Sequence, residues 1–316
     1  MRALWRNRLY WLGLGIGLLF FVGQIFKGYQ VFSTITLDAA LLVRLGGAVA
    51  TGLLALGLQM VAWRFLMRDL GVPLTWRSVI SGYMLSFLPR YIPGSVWGYL
   101  SRSEWLKRTY GVPYALSSIG SVLEISIALV TGSAVIGFYY LLNTSGIIQF
   151  ELLCFEVGLP VISWLLLNFA LQLDFVKRRY AHGLQGVNFS VWAKAFAIYI
   201  MLWICYGVLT LILVGQFYSP LSISPLVSAT FSFCISWLIG FLVIFSPSGL
   251  GIREIALSNV LAKVMGVPLD AASAISVISR LCIACAEILW VSIGIMYSRG
   301  GKSTRQPIGN REINPS

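Results

Sequence analysis

The chain has 316 residues, of which 58% are hydrophobic and only 11% are charged. Soluble domains contain about 45–50% apolar and about 25% charged residues, so this composition excludes a soluble enzyme, a disordered chain and a disulfide-rich secreted module. The formal net charge of +12 could indicate a nucleic-acid partner. The basic residues flank apolar runs, however, which is typical of a multi-pass membrane protein and not of a nucleic-acid-binding one.

Several apolar runs are long enough to cross a bilayer, whose hydrocarbon core of about 30 Å needs about 20 helical residues. They lie at about 9–29, 40–63, 114–142, 151–173, 191–216 and 268–297. No small-x-small cleavage site follows the first run, so we expect a first span and not a signal peptide. The positive-inside rule then places the N-terminus and the basic tail at 299–316 in the cytoplasm, with 1–298 as one transmembrane domain of the cell membrane.

Two segments are interrupted by proline and glycine, one at about 75–109 and the other at about 226–265. Each half of the first segment reaches about 21–24 Å, which is short for a crossing, so we predict a re-entrant helical hairpin. This hairpin would return Arg102, together with Lys107 and Arg108, to the cytoplasm. The first half of the second segment is longer, so a full crossing is less easily excluded there.

A shift of 155 residues aligns the two broken segments. Nine of the 31 positions from Gly94 to Glu124 are then identical, including Gly-Val-Pro at 111–113 and 266–268. Three full spans lie between the hairpins, and because three is odd the hairpins enter from opposite faces. The sequence therefore predicts an all-α protein with inverted repeats, as in secondary transporters, and a polar cavity where the hairpin tips meet.

Five charged residues are expected at the depth of this cavity. Arg90 lies at the first tip, Arg253 and Glu254 follow the second, and Glu124 and Arg280 lie about 16–18 Å into their spans. Each buried charge costs about 2.5–3.5 kcal/mol, so an accidental arrangement is implausible. One interpretation is a set of structural ion pairs, for example Glu124 with Arg280 and Glu254 with Arg90. The other is a site for an anionic group.

Two features favour the anion. Three arginines face two glutamates, and the second helix of each hairpin begins at the tip, where its free N–H groups point into the cavity. Arginine matches phosphate through its planar fork of donors, so a lipid phosphate is the expected ligand. Glu124 and Glu254 would orient the arginines or carry a coupling proton. The residues expected to bind the head group are Arg90, Gly94, Ser95, Gly249, Gly251, Arg253 and Arg280.

The run 247–254, followed by Gly-Val-Pro at 266–268 and Ser-Arg-Leu at 279–281, resembles the C-terminal signature of the lysylphosphatidylglycerol synthase transmembrane (flippase-like) family. The stretch 88–102 and the later Glu124 are similar to that family's first motif. The resemblance covers about 75–297. It implies translocation of lipids across a bilayer, with aminoacylated phosphatidylglycerol and polyprenyl-linked sugars among the cargos proposed in the family.

The chain departs from the family pattern near the first break. Gly98-Tyr99 stands where members usually carry Gly-Glu, and Ile125 stands where an arginine is expected after Glu124. These changes remove charge near the first tip. The chain also lacks a stretch that matches the aminoacyltransferase domain of some members, so we do not expect it to synthesise lysyl-lipid itself.

The leading hypothesis is a non-enzymatic translocator of an anionic phosphate-bearing lipid or polyprenyl-linked lipid, with the membrane and its lipid as partners. An accessory or scaffold subunit of a lipid or glycan assembly pathway is the alternative. A lipid-linked glycosyl- or phospho-transferase is less favoured, because such chemistry usually needs paired carboxylates and the chain has only 11 acidic residues. The single histidine stands apart from any acidic cluster, so neither a metal nor a cofactor is expected.

Overall fold

The fold is described from a computed structural model of the chain, which covers residue 15 and residues 18–34, 38–91, 97–145, 147–173, 186–215, 223–243 and 247–299. These residues form α-helices and two short 3-10 turns, and no strand occurs among them. The prediction of an all-α protein is confirmed.

The helices follow one another with short connections. In chain order they are α1 (Leu18–Lys27), α2 (Tyr29–Thr34), α3 (Ala39–Asp69), α4 (Trp76–Leu85), α5 (Trp97–Tyr110), α6 (Tyr114–Asn143), α7 (Ile147–Gln172), α8 (Phe189–Val214), α9 (Ile223–Leu242), α10 (Ile252–Met265) and α11 (Leu269–Arg299). The 3-10 turns lie at Leu88–Tyr91, between α4 and α5, and at Pro247–Gly249, between α9 and α10.

Capping side chains set where several helices begin. The side chains of Asp38, Thr75 and Asn188 each accept a hydrogen bond from a backbone N–H in the first turn of α3, α4 and α8. Between α5 and α6 the chain turns at Gly111, whose φ of 72° suits glycine, and Pro113 precedes the first turn of α6. The Gly-Val-Pro element therefore separates two helices, as its sequence indicates.

Five helices of the described chain are long and apolar enough to cross a membrane, which confirms a multi-pass membrane protein. They are Ala39–Asp69, Tyr114–Asn143, Phe189–Val214, Ser224–Leu242 and Leu269–Ser298. Four of them match predicted spans. The predicted span at 151–173 falls in α7, whose apolar part is Gly158–Gln172, and the predicted span at 9–29 lies partly outside the described residues.

The fifth helix, Ser224–Leu242, is the first half of the second broken segment. Its 19 residues reach about 29 Å, close to the thickness of the hydrocarbon core. This length favours a full crossing by α9 followed by the shorter α10. The re-entrant hairpins and their opposite insertion remain predictions.

The core lies where α8 packs along α3 and α9, and where α11 packs against α3, α4 and α10. Large aromatic side chains fill it, including Trp63, Trp192 and Trp203. Small residues allow close approach of the helices, since a Cβ at Gly207 of α8 would overlap the facing Thr230 of α9. The 3-10 turns of the two broken segments contact each other, so the two breaks meet inside the protein.

Candidate functional site

A cavity of about 120 Å³ lies beside the second break, among the central helices. Water occupies about 30 Å³ per molecule in the liquid, so the cavity has room for a small polar group and not for a whole lipid. Arg253 from the start of α10 and Arg280 and Glu287 from α11 line it. Its aromatic lining consists of Tyr99, Tyr199, Trp203, Tyr206, Trp237 and Phe241.

The second break depends on backbone conformations in the left-handed region. Ser248, Gly249 and Gly251 have φ angles of 53°, 70° and 80°. A Cβ at Gly249 would lie 3.0 Å from the carbonyl oxygen of Gly240, so the break packs directly against the backbone of α9. Gly249 and Gly251 were expected to bind the lipid head group. In the structure, Gly249 allows the second break to pack closely against the backbone of α9.

Glu254 stabilises the beginning of α10. One of its carboxylate oxygens accepts the N–H of Gly251 at 2.5 Å, so this helix terminus already has an anionic partner from the protein. The other oxygen lies 3.7 Å from Nε of Arg280. Arg280 also donates a long hydrogen bond of 3.4 Å to the carbonyl of Ser248. Glu254 and Arg280 thus fasten the break to α11, and the backbone donor expected at Gly251 is not free for a ligand.

Arg253 differs from its neighbours. Among the described residues it has no ion-pair or hydrogen-bonding partner, and its guanidinium lies 5.2 Å from the ring centroid of Phe233. Its side chain packs against Gly240, where a Cβ would overlap it. Glu254 and Glu287 attract this charge, but neither forms an ion pair with it, and a cation inside a membrane protein is costly without direct partners. This arrangement favours an anionic ligand.

A second ion pair fastens the first broken segment. Nη2 of Arg102 on α5 lies 2.6 Å from Oε2 of Glu124 on α6, and the two side chains are 2% and 1% exposed. Tyr83 of α4 donates its hydroxyl to the same carboxylate. The guanidinium also lies 4.5–5.2 Å from the ring centroids of Trp63, Tyr83 and Tyr99. The pair therefore joins α4, α5 and α6 within the core.

This pair corrects two predictions. Arg102 was expected in the cytoplasm but is buried, and Glu124, which one interpretation paired with Arg280, pairs with Arg102. The reason is local, because Gly98, Arg102 and Leu106 form one buried stripe along α5 at intervals of four residues. Arg280 is already engaged by Glu254.

The charge balance also differs from the prediction. The described side chains at this level comprise three arginines (Arg102, Arg253, Arg280) and three glutamates (Glu124, Glu254, Glu287). The predicted excess of one positive charge included Arg90 and left out both Arg102 and Glu287. The backbone of Arg90 lies in the first 3-10 turn, but its side chain is outside the described part of the structure. Gly94 and Ser95 are outside it as well. The suggested pairing of Arg90 with Glu254 therefore also falls outside the described residues.

The fold and the cavity define a multi-pass α-helical membrane protein with charged side chains enclosed by its helices. Within the described ranges, no three His, Cys, Asp or Glu side chains are grouped to hold a metal ion.

The chain belongs to the family described as the lysylphosphatidylglycerol synthase TM region, whose model matches residues 9–289. This confirms the family that the sequence resembles, and it indicates a membrane protein of lipid biosynthesis or translocation that interacts with membrane lipid. No curated protein and no solved structure matches the chain.

Proposed function

We propose that the protein moves an anionic, phosphate-bearing lipid, either a phospholipid or a polyprenyl-linked lipid, across the cell membrane and is not itself an enzyme. The observation that carries this proposal is the guanidinium of Arg253, which lines the central cavity and forms no direct ion pair or hydrogen bond among the described residues. The planar fork of a guanidinium matches two phosphate oxygens. Membership of a lipid-related family supports the same class of ligand.

Arg280 would assist Arg253. Its Nε lies 3.7 Å from Glu254, which is longer than the 2.7–2.9 Å or so of a charge-assisted hydrogen bond. A phosphate in the cavity could draw the Arg280 side chain towards itself while Glu254 keeps its hydrogen bond to Gly251. The Arg102–Glu124 pair is closed and buried and takes no part in binding. The anion site is thus built mainly from the second broken segment.

The cavity is too small for acyl or polyprenyl chains, so these would remain in the bilayer while the head group enters the protein. The contact between the two 3-10 turns gives the two halves a shared boundary beside the cavity. Rocking of the halves about this boundary would expose the head group to one membrane face and then to the other.

A reconstitution assay tests the function. Vesicles would contain either fluorescently labelled phosphatidylglycerol or labelled polyprenyl phosphate, and an impermeant quencher would report lipid that reaches the outer leaflet. The wild-type protein is expected to move at least one of them. Arg253→Ala should abolish this movement, and Arg253→Lys should retain only part of it, because lysine offers charge without the planar fork. Arg68→Ala removes an exposed arginine away from the cavity and serves as the matched control.

Two results would contradict the proposal. Movement of neither lipid by the wild-type protein would reject the function. Wild-type movement by a folded Arg253→Ala variant would reject the site. Arg280→Ala is informative only with size-exclusion and thermal-unfolding controls, since Arg280 also fastens the second break.

A further inference from the structure

A second polar feature lies away from the central cavity. A groove of about 400 Å³ runs between α6, α7, α8 and α9. Glu156 and Thr230 are its only polar side chains within the described residues. Phe138 and Ile204 in its lining are 48% and 41% exposed, so the groove opens onto the apolar outer surface of the helices. In a membrane protein this surface faces lipid.

Glu156 is unusual among the acids of the membrane region. It lies nine residues after the start of α7 at Ile147, about 14 Å along a helix of about 39 Å. Its Oε1 is buried and has no hydrogen-bonding partner among the described residues. Gly137 of α6 leaves the space for this oxygen, because a Cβ there would overlap the carboxyl group. The carboxyl group is therefore fitted into the groove about a third of the way along its helix.

The backbone beside Glu156 is polar as well. Pro160 has no N–H, so it cannot donate the helical hydrogen bond to the carbonyl of Glu156 four residues earlier. Thr230 does not donate a hydrogen bond to the Glu156 carbonyl in place of residue 160, because its hydroxyl donates to the carbonyl of Leu226 in its own helix.

No charged side chain balances Glu156 in the part of the chain that the structure describes. None of the ion pairs there includes it, and no ionisable side chain of α6, α8 or α9 lines the groove. Two ionisable side chains of these helices lie elsewhere. Tyr139 of α6 stacks on Phe231, and Lys194 is exposed near the start of α8. On its own helix Glu151 is exposed.

Glu124 and Glu254 are different, because each lies beside an arginine with which it forms an ion pair. An isolated carboxylate in apolar surroundings is strongly disfavoured, and a neutral carboxyl group is not. We propose that Glu156 is a proton-binding site, neutral while it lies in the groove and ionised when α7 moves and water reaches it. Its use as the coupling site for lipid movement rests on the proposed function, whereas the binding of a proton does not.

Labelling with dicyclohexylcarbodiimide tests the proton site. This apolar reagent modifies protonated carboxyl groups, and peptide mass spectrometry locates the adduct. The purified wild-type protein should be labelled at Glu156. Glu124 and Glu254 should remain unmodified and serve as internal controls, and Glu156→Gln should show no adduct at this position. Labelling should fall by about tenfold for each pH unit above the midpoint, as the protonated fraction does.

Infrared difference spectra between acidic and alkaline buffers give a measurement that does not depend on access of the reagent. The wild-type protein should show a carbonyl band of a protonated carboxylic acid that is missing from the spectrum of Glu156→Gln, so the difference between the two proteins isolates the band of Glu156 from those of the other acids. Absence of both the adduct and the band, or labelling that does not change with pH, would overturn the proposal.

The coupling role has its own test. In vesicles with an imposed pH gradient, Glu156→Gln should move labelled lipid at a rate that no longer responds to the gradient. A retained response would overturn the coupling role. If the wild-type protein moves no lipid while Glu156 is labelled as expected, the proposed function fails and the proton site stands.

Discussion

The Arg102–Glu124 pair leads to a quantitative prediction about stability. Arg102→Met removes the cation, and Glu124 then keeps only the hydroxyls of Tyr83 and Tyr199 as partners. Glu124→Gln removes the anion instead. Within the described part of the chain, Arg102 Nε and Nη1 have no hydrogen-bonding partners, so in that variant the guanidinium keeps little beyond its aromatic contacts.

The expected magnitude follows from the burial of both side chains. Removal of one partner of a buried ion pair typically costs about 3–5 kcal/mol, because the remaining charge is left without compensation. We expect Glu124→Gln at the upper end of this range, since it leaves a cation with few donors satisfied. Arg102→Met should fall at the lower end. The double variant leaves no charge uncompensated and should be more stable than either single variant.

The assay is a double-variant cycle of unfolding in mixed micelles, with tryptophan fluorescence as the signal. Arg108→Met is a matched control on the same helix. Its partner Glu104 lies four residues earlier, and their side chains are 77% and 38% exposed. Because solvent screens this pair, its loss should give no resolvable change in stability.

The prediction would fail in two ways. Arg102→Met could destabilise the protein no more than Arg108→Met, which would mean that the buried pair does not join α5 to α6. Alternatively, the double variant could be as unstable as the sum of the single variants, which would mean that the two side chains do not interact.

Two further predictions concern helix packing. Gly207→Ala should lower the free energy of unfolding by about 1–3 kcal/mol, since a Cβ at this position would overlap the facing helix. Gly46→Ala is the control, because there is open space around its Cβ, and it should not lower the stability. Thermal unfolding of the two variants and the wild-type protein gives the comparison. Thr131→Val should cost about 1–3 kcal/mol, because it leaves the buried indole N–H of Trp203 without its acceptor at 2.9 Å. Thr51→Val is the control for the same unfolding measurement, because that hydroxyl donates only to carbonyls of its own helix.

Much of the fold could be predicted from the sequence, because it depends on signals along one stretch of chain. Length and hydropathy located four spans, and proline and glycine located both breaks. The motif at 247–254 identified the family. Arg253 and Arg280 were expected in one site, and both line the central cavity.

The pairing of the charges could not be predicted in the same way. Depth along a span shows which charges are at one level, but the partner of each charge depends on how the helices rotate and pack. The interpretation that paired Glu124 with Arg280 therefore named an arginine other than Arg102, which is its partner. The hydrogen bond from Gly251 to Glu254 needs the left-handed turn of the backbone, which only the folded chain shows. The sequence does not single out Glu156, because its lack of a charged neighbour depends on which side chains line the groove in the folded chain.

The proposed function depends on the binding of a lipid phosphate by Arg253, which forms no ion pair or hydrogen bond among the described residues. Native mass spectrometry of the protein purified with its lipids tests it most directly. The account predicts an anionic, phosphate-bearing lipid bound to the wild-type protein and to Arg68→Ala, and its loss from folded Arg253→Ala. Equal retention by all three proteins, or a wild-type protein that carries only neutral lipid, would contradict the account.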